Sequence, residues 1–237
     1  MARISGSTRL KVQKAPALWD ISRKRYRFIL KPVPGPHAIS ESYPLGVFLR
    51  DILRLTNTMR ESRRVIIDGK IKVDGKIRYD EHFPVGLMDT ISIDSINRYY
   101  RLLPDSKRLL IPLEIDKNES NLKICKIKKK VIIKGNKIQY GLHDGRTIIN
   151  NINAKVNDSL LLRVPEQEIV EHIKLEKGVN ALIIKGENAG KIGIIEEIKE
   201  GTYTLPKRVI LNINDRLLEL PVDMVMVVGS NIPIKLR

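Results

Sequence analysis

The stretch from residue 44 to residue 94 has the clearest pattern of hydrophobic and polar positions in the chain. Its first part predicts a helix, because apolar side chains recur at helical spacing while charged side chains fall on the opposite side. The apolar positions are Leu45, Phe48, Leu49, Ile52 and Leu53. A second helix is predicted to begin at Thr58, which forms a Thr-x-x-Glu capping box with Glu61, and to end near Gly69.

A β-hairpin is predicted directly after the second helix. Ile71 and Val73 alternate with lysines, Asp74-Gly75 is a strong turn signal, and the return strand begins at Lys76. The two helices and the hairpin carry many positive charges. Their arginines could form only a solvated helix face, but the basic excess in the rest of the chain favours contact with nucleic acid.

The same region resembles a known RNA-binding module. Residues 65–76, VIIDGKIKVDGK, and residues 84–91, PVGLMDTI, are similar to the S4 module. In that family the two helices and the adjoining turn bind a folded RNA, so the resemblance implies an RNA contact here. The side chains expected to make it are Arg50, Arg54, Arg60, Arg63, Arg64, Lys76 and Arg78.

Composition favours a polyanionic partner. The 237 residues include 43 Lys and Arg against 27 Asp and Glu, for a net charge of +16 and a pI near 9.9. A surface with this much positive charge suits a polyanion such as nucleic acid or an anionic membrane. A membrane is disfavoured, because no apolar run reaches the ~18 residues of a spanning segment and the start lacks the apolar core of a signal peptide. The single cysteine, Cys125, excludes an intrachain disulfide framework and suits a reducing cytoplasm.

Residues 1–36 form a basic arm with nine Lys or Arg and one acidic residue. Four prolines prevent a long helix, and without a sustained apolar period we expect the arm to become ordered only against RNA phosphates. Trp19, Tyr26 and Phe28 could stack on bases or could pin the arm to the protein's own globular part. The expected RNA contacts of the arm are Arg23, Lys24, Arg25 and Arg27.

The arm also carries a more specific resemblance. Ala15-Pro16-x-x-Trp19, then PVPGPH at 32–37, ESYPL at 41–45 and LRD at 49–51 are similar, in order and spacing, to the S4e family of small-subunit ribosomal proteins of archaea and eukaryotes. The sequence ISGST at residues 4–8 departs from the family, whose start is more basic.

Residues 96–173 predict a small β-barrel or sandwich, because short apolar runs alternate with turn-like residues. A basic run lies in this region. Taken alone it would be a solvated strand edge that discourages aggregation, but the charge of the whole chain favours a binding site. Its members are Lys123, Lys126, Lys128, Lys129 and Lys130.

The hexapeptide HDGRTI at residues 143–148 does not indicate a catalytic His-Asp pair. Adjacent residues of a strand point to opposite faces, and no candidate nucleophile has a suitable context. The hexapeptide resembles a motif of the central S4e domain, in which Arg146 is the expected RNA contact. No structural zinc, other metal or cofactor is expected, because the potential ligands are isolated in the sequence. These ligands are His37, His82, His143, His172 and Cys125.

Residues 175–201 resemble a KOW motif. Val179, Ala181 and Ile183 alternate as a strand, a glycine-rich loop follows at residues 186–190, and a second strand begins at Ile192. Ala189 stands where many KOW members carry lysine, and the motif occurs with both RNA and protein partners. Further strands are expected between residues 203 and 228, followed by a basic tail at 235–237. The expected phosphate contacts are Lys185 and Lys191. The loop lacks the spacing of a nucleotide-binding loop.

The order of these segments predicts a multidomain α+β protein. Its parts are a basic extended N-terminal arm at 1–42, a small α/β S4-type RNA-binding module at 43–95, a central β domain at 96–173, and a C-terminal KOW-type SH3-like β-barrel with its tail at 174–237. The resemblance implies a structural protein of the small ribosomal subunit that binds and stabilises folded 16S-type ribosomal RNA. Its implied partners are that RNA and neighbouring small-subunit ribosomal proteins, in the cytoplasm. No membrane, small-molecule substrate or homo-oligomer is expected.

Two other classes of protein share parts of this pattern. An RNA-modifying enzyme with an S4 module would need a catalytic domain with an aspartate in a cleft or a glycine-rich cofactor site, and the remaining segments show neither. A transcription or translation factor with a KOW barrel would not explain the basic arm. We therefore expect no enzymatic activity.

Overall fold

A computed structural model of the chain describes residues 9–214, 216–229 and 234–236. This part is mostly β-structure with two short helices. The unusual start at residues 4–8 and the last residue of the basic tail, Arg237, lie outside it. Short 3₁₀ turns connect several strands, at Val12–Lys14, Ile39–Glu41, Asp94–Ile96, Glu119–Asn121 and Val222–Met224.

The described part of the arm packs onto the rest of the protein. Strands β1 (Arg9–Lys11) and β2 (Phe28–Leu30) pair antiparallel. Trp19 is buried, with its ring centroid 5.7 Å from that of Tyr43. The expectation that the arm orders only against RNA was therefore wrong for this part, because even a few apolar side chains suffice when a larger core receives them.

Both predicted helical segments are present, and the second begins and ends where predicted. Helix α1 (Leu45–Val47) continues into a π-helical turn, Phe48–Ile52, and α2 spans Met59–Ile67. The capping box is confirmed: the Glu61 amide donates to Thr58 Oγ1 at 3.3 Å, and the Thr58 amide donates to the Glu61 carboxylate at 3.3 Å. Gly69, at φ 71°, ends the helix as predicted.

A five-stranded antiparallel sheet continues from this helix pair, in the order β5-β4-β7-β8-β9. Its strands are β4 (Lys72–Val73), β5 (Lys76–Ile77), β7 (Thr90–Ile93), β8 (Arg98–Pro104) and β9 (Leu110–Ile115). The hairpin turn is confirmed, with positive φ at Asp74 and Gly75. β3 (Tyr43–Pro44) pairs separately with β6 (Pro84–Val85). The first sheet thus runs across residue 95, where the sequence pattern placed a domain boundary.

The second sheet has the order β12-β11-β10-β13-β14. Its strands are β10 (Leu122–Ile133), β11 (Lys137–Leu142), β12 (Thr147–Ile149), β13 (Ser159–Arg163) and β14 (Glu168–Ile173). β10 is its long central strand. The first half of β10 pairs with β13 and the second half with β11, and the register shifts between Ile127 and Lys129. Such a bulge bends a strand, so the two halves lie in different surroundings.

The third sheet has the order β18-β17-β16-β15-β19. Its strands are β15 (Asn180–Ile183), β16 (Ile192–Lys199), β17 (Arg208–Ile213), β18 (Arg216–Pro221) and β19 (Val225–Val227). Ala181 and Ile183 are buried, as the alternation predicted. A Cβ on Gly190 would lie 2.5 Å from the Pro104 carbonyl oxygen, so the glycine loop packs closely on the end of β8.

A shared hydrophobic cluster joins the three sheets. Leu103 of β8, Ile124 of β10 and Leu182 of β15 all belong to it. Burying each such side chain contributes about 1.5–3 kcal/mol, so this cluster fixes the sheets against one another.

Candidate nucleic-acid interface

Helix α2 presents three arginines to solvent. Ser62 and Ile66 face the core, which turns Arg60, Arg63 and Arg64 outward. They follow the Thr58 cap directly, so the capping box also fixes the start of this basic face.

Two of these exposed arginines form an ion pair with a neighbouring carboxylate. Arg63 lies 3.8 Å from Glu81, and Arg64, whose side chain is 81% exposed, lies 3.2 Å from Asp68. The Arg64–Asp68 pair is a surface pair and contributes at most about 1 kcal/mol, so a phosphate can replace this carboxylate at little cost.

An exposed aromatic and aliphatic patch accompanies the arginines. Tyr79, Ile67 and Ile77 are exposed, and the Tyr79 ring lies against Gly69. Lys76, on the same hairpin, is also exposed. Rings beside positive charges suit unstacked RNA bases. The sequence reasoning missed Tyr79, although a tyrosine among charged residues with no apolar period around it was a usable signal.

Arg50 and Arg54 differ in their availability. The Arg50 side chain is only 11% exposed; it donates two hydrogen bonds to Asp51, at 2.8 and 3.0 Å, and lies over the Tyr26 ring. Arg54 is exposed and adopts a left-handed conformation, φ 53°, just after the π-helical turn. Arg50 therefore holds the arm against the helix, and Arg54 projects into solvent.

The basic residues of the arm are exposed but partly engaged. The Arg23 guanidinium donates to backbone carbonyls of the arm, including those of Val12 at 3.1 Å and Pro16 at 2.8 Å. Arg25 lies over the Tyr26 ring and Arg27 lies over the Phe28 ring. Lys24 is exposed as well. Of the three aromatic residues, Trp19 pins the arm, whereas Tyr26 and Phe28 remain at the surface.

In the third sheet, the two candidate lysines flank the glycine loop. Lys185 pairs with Glu41 of the arm, and this contact lowers the pKa of Glu41 although burial of the carboxylate opposes it. Lys191 donates to the Asn188 side chain at 2.7 Å. Both lysines are at the surface, but Lys185 also links the arm to the loop.

Arg146 belongs to a buried ionic cluster between the first and second sheets. At its centre, the Lys123 ammonium lies 2.8 Å from Asp74, 2.6 Å from Asp89 and 3.0 Å from Asp144. The Arg146 guanidinium pairs with Asp74 and Asp144. The main role of Arg146 in the fold is therefore to neutralise these two carboxylates.

The charges of this cluster hold one another in their ionised forms. Burial lowers the pKa of Lys123, but the three aspartates outweigh it and raise that pKa well above its usual value. Burial raises the pKa of Asp144, but Lys123, His143 and Arg146 outweigh it and lower that pKa to about 2. His37 adds a further contact, with Nε2 3.0 Å from the Asp89 carboxylate.

One arginine at the same junction keeps an accessible face. Arg78 lies over the Phe83 ring, 4.3 Å from its centroid. Together with Arg146 it lines a cleft of about 370 Å³ between the first two sheets. The aspartates of the ionic cluster also line this cleft, so its walls carry both signs of charge.

A second lysine of the basic run is also buried. The Lys126 ammonium donates to the carbonyls of Val222 and Val225, both at 2.7 Å, and burial lowers its pKa to about 8. The basic run therefore divides: Lys123 and Lys126 hold neighbouring sheets, while Lys128, Lys129 and Lys130 are exposed. The sequence gives no sign of this division.

Potential metal ligands that are isolated in the sequence meet at one place in the fold. Ligand atoms of Cys125, His143 and Asp144 lie within 4.8 Å of one another. Both nitrogens of His143 are already engaged, since the Lys126 amide donates to Nδ1 at 3.3 Å and Nε2 donates to the Leu87 carbonyl at 3.1 Å.

The charge around this group also disfavours a cation. Lys123 lies against Asp144, and burial raises the pKa of the Cys125 thiol, which must lose its proton to bind a metal. These residues fit an ionic cluster better than a metal centre.

Within the described part of the chain, no helix is long and apolar enough to cross a membrane.

These features define a basic S4-domain protein: a helix pair and a hairpin with outward arginines, joined to two further β-sheets. The S4 domain model matches residues 47–91. The chain belongs to ribosomal family S4e, whose model matches residues 96–169. The RS4NT domain model matches residues 5–40. The resemblance noted in the sequence motifs is thus confirmed.

Relatives match over nearly the whole chain. Small ribosomal subunit protein eS4 of Ignicoccus hospitalis is 42% identical over 248 residues, covering 99% of this chain and 96% of that protein. Its counterpart in Methanocaldococcus jannaschii is 40% identical, with 99% of each chain covered. Because these relatives are ribosomal proteins, the prediction of a structural protein rather than an enzyme is confirmed.

A solved structure supports the same assignment. The crystal structure of 30S ribosomal protein S4e from Thermoplasma acidophilum has a TM-score of 0.68 to this chain and is 34% identical. The match covers 80% of this chain and 96% of that one.

Proposed function

We propose that the protein is a structural constituent of the small ribosomal subunit that binds and stabilises folded 16S-type ribosomal RNA during assembly and translation. The observation that carries this proposal is the outward basic face of α2 within a matched S4 domain. Relatives named small ribosomal subunit protein eS4 support it. The protein acts in the cytoplasm, as one copy within the ribosome, against this RNA and neighbouring small-subunit proteins. Neither a membrane nor a second copy of the chain is needed.

The proposal assigns RNA contact to basic side chains that keep a solvent-accessible face. Residues bound to protein groups, such as Arg23, Arg50 and Arg146, first hold the fold and contact RNA only at their remaining faces. The primary set is Lys24, Arg25, Arg27, Arg54, Arg60, Arg63, Arg64, Lys76, Arg78 and Lys191.

The proposal also divides the chain into an arm at 1–42, an S4 module at 43–95, a central β domain at 96–173 and a KOW-type SH3-like barrel at 174–237. The ranges of the matched family models support the first three parts. The five-stranded third sheet and the positive φ of Gly186 and Gly190 support the fourth. Because the first sheet crosses residue 95, the second and third parts form one continuous body.

A triple substitution, Arg60→Ala, Arg63→Ala and Arg64→Ala, tests the central contact. Each lost phosphate contact removes about 0.7 to 0.9 from the slope of log affinity against log salt. We expect the slope for deproteinised small-subunit ribosomal RNA to fall by about 2 to 3.

The matched control replaces three exposed, ion-paired arginines elsewhere, Arg98, Arg108 and Arg163, with alanine. These side chains lie outside the proposed contact set, so the control should keep the wild-type slope. An unchanged slope in the α2 variant would show that its arginines face solvent.

A further inference from the structure

The second half of β10 forms a projecting three-stranded surface with β11 and β12. After the register shift at Lys129, no residue from Lys129 to Val131 is buried, whereas Lys123 to Ile127 are all buried. The pairing places Val131 opposite Gln139, and Gln139 opposite Ile149, so these side chains share one face. We call this face the outer face; it consists of Lys129, Val131, Ile133, Lys137, Gln139, Gly141, Thr147 and Ile149.

The opposite face of the same strands is buried only at its base, because Lys130 and Ile132, nearer the hairpin tip, are exposed. Tyr140 and Ile148 point into the core of the second sheet. Val131 and Ile149 are 52% and 56% exposed on the outer face, where nothing in the described chain covers them. Uncovered aliphatic side chains beside exposed lysines indicate a binding surface.

Charge identifies the class of partner. From Ser120 to Pro165 the sequence has ten Lys or Arg and only two acidic residues, Asp144 and Asp158. Both acidic side chains are buried, so no carboxylate of this segment offsets the exposed lysines. Lys129, Lys134 and Lys137 form no ion pair with any described residue, so their charges are directed only to solvent.

The shape of the outer face suits a sugar-phosphate backbone. Gly141 lies opposite Lys129 and beside Thr147, which keeps the centre of the face low. Lysines at its margin can neutralise phosphates, while Val131 and Ile149 can pack on the apolar faces of riboses. An acidic protein would also complement the charge, so a cross-linking experiment must separate it from RNA.

We propose that the outer face, with Lys134 at the hairpin tip, is a second RNA-binding surface, separate from the α2 face, and that it contacts the sugar-phosphate backbone of small-subunit ribosomal RNA. This inference rests on the proposed function and assigns it a further site. It gives the exposed part of the basic run a role distinct from that of Lys123 and Lys126.

The first test is the triple variant Lys129→Gln, Lys134→Gln and Lys137→Gln in the full chain. With deproteinised small-subunit ribosomal RNA as the probe, we expect the salt slope to fall by about 2 to 3 relative to wild type. The control variant Lys107→Gln, Lys117→Gln and Lys177→Gln removes the same charge from exposed positions that have an acidic residue close by in the sequence. It should keep the wild-type slope, and circular dichroism should show that both variants fold.

The second test identifies the partner directly. A photoreactive residue in place of Val131, in protein assembled into small subunits, should cross-link to ribosomal RNA. A cross-link to a neighbouring protein would overturn the inference. Equal salt slopes for the Lys129, Lys134 and Lys137 variant and its control would overturn it as well. Both results would leave the α2 result intact. Wild-type protein that binds the RNA without salt dependence would instead overturn the proposed function.

Discussion

Lys123 shows how one side chain can hold two sheets together. Its ammonium group is fully buried on β10, in the second sheet, and its partners Asp74 and Asp89 belong to the first. A buried charge is tolerated only when it is paired and hydrogen-bonded, and here three carboxylates meet that condition. Gly86 supports the arrangement, because a Cβ at that position would lie 2.3 Å from the ring of His37, which contacts Asp89.

The substitution Lys123→Met should lower the free energy of unfolding by about 3 to 5 kcal/mol at neutral pH, because it leaves buried carboxylates without their central cation. Urea unfolding of the full chain measures this. The control Lys117→Met removes an exposed lysine and should change stability by less than about 0.5 kcal/mol. Equal stability of the two variants would show that the cluster does not depend on the ammonium group.

Helix α2 is the element on which the proposed RNA contact depends. A helix of nine residues is too short to be stable by itself, so its cap and its packing must hold it. Ser62 and Ile66 supply the packing, and Thr58 and Glu61 supply the cap.

The substitution Thr58→Ala should therefore lower the free energy of unfolding by about 1 kcal/mol, because the Glu61 amide loses its acceptor. Urea unfolding measures the loss, and Thr202→Ala, in an exposed loop, is the matched control. If both variants lose the same amount, the capping box does not stabilise α2.

Elements with local signals could be predicted from the sequence, and contacts between distant segments could not. The Thr58 cap, the Asp74-Gly75 turn and the strands around Ala181 each depend on residues within a few positions of one another. Two partners of Lys123, Asp89 and Asp74, lie 34 and 49 positions away, so no periodicity reveals them. The sequence identified Asp74 as a turn residue but could not show that its carboxylate is buried.

The candidate RNA-contact residues show the same difference between local signals and contacts across the fold. The outward direction of the α2 arginines follows from helical spacing, since Ser62 and Ile66 mark the inner face. The engagement of Arg146 with Asp74 spans 72 positions and depends on how two sheets pack. Sequence reasoning therefore finds which residues are basic, and the fold determines which of them remain available to RNA.

At the scale of the whole molecule, β10 connects the three sheets. Lys123 faces the first sheet, whereas Lys126 donates to carbonyls beside β19 in the third. With the cores joined in this way, the net charge of +16 is carried on a body whose basic faces are held in fixed relative positions. A rigid body with two separate basic faces is suited to holding RNA segments at a set distance from each other.

The most direct test of this account is the distribution of the protein across a sucrose gradient of ribosomal subunits from the source cells. The subunits are washed in high salt, and mass spectrometry quantifies this chain in each fraction. The account predicts that the protein stays with the small subunit at about one copy per particle. Loss of the protein in the wash, or its migration with polymerase or at the top of the gradient, would contradict a structural role in the ribosome.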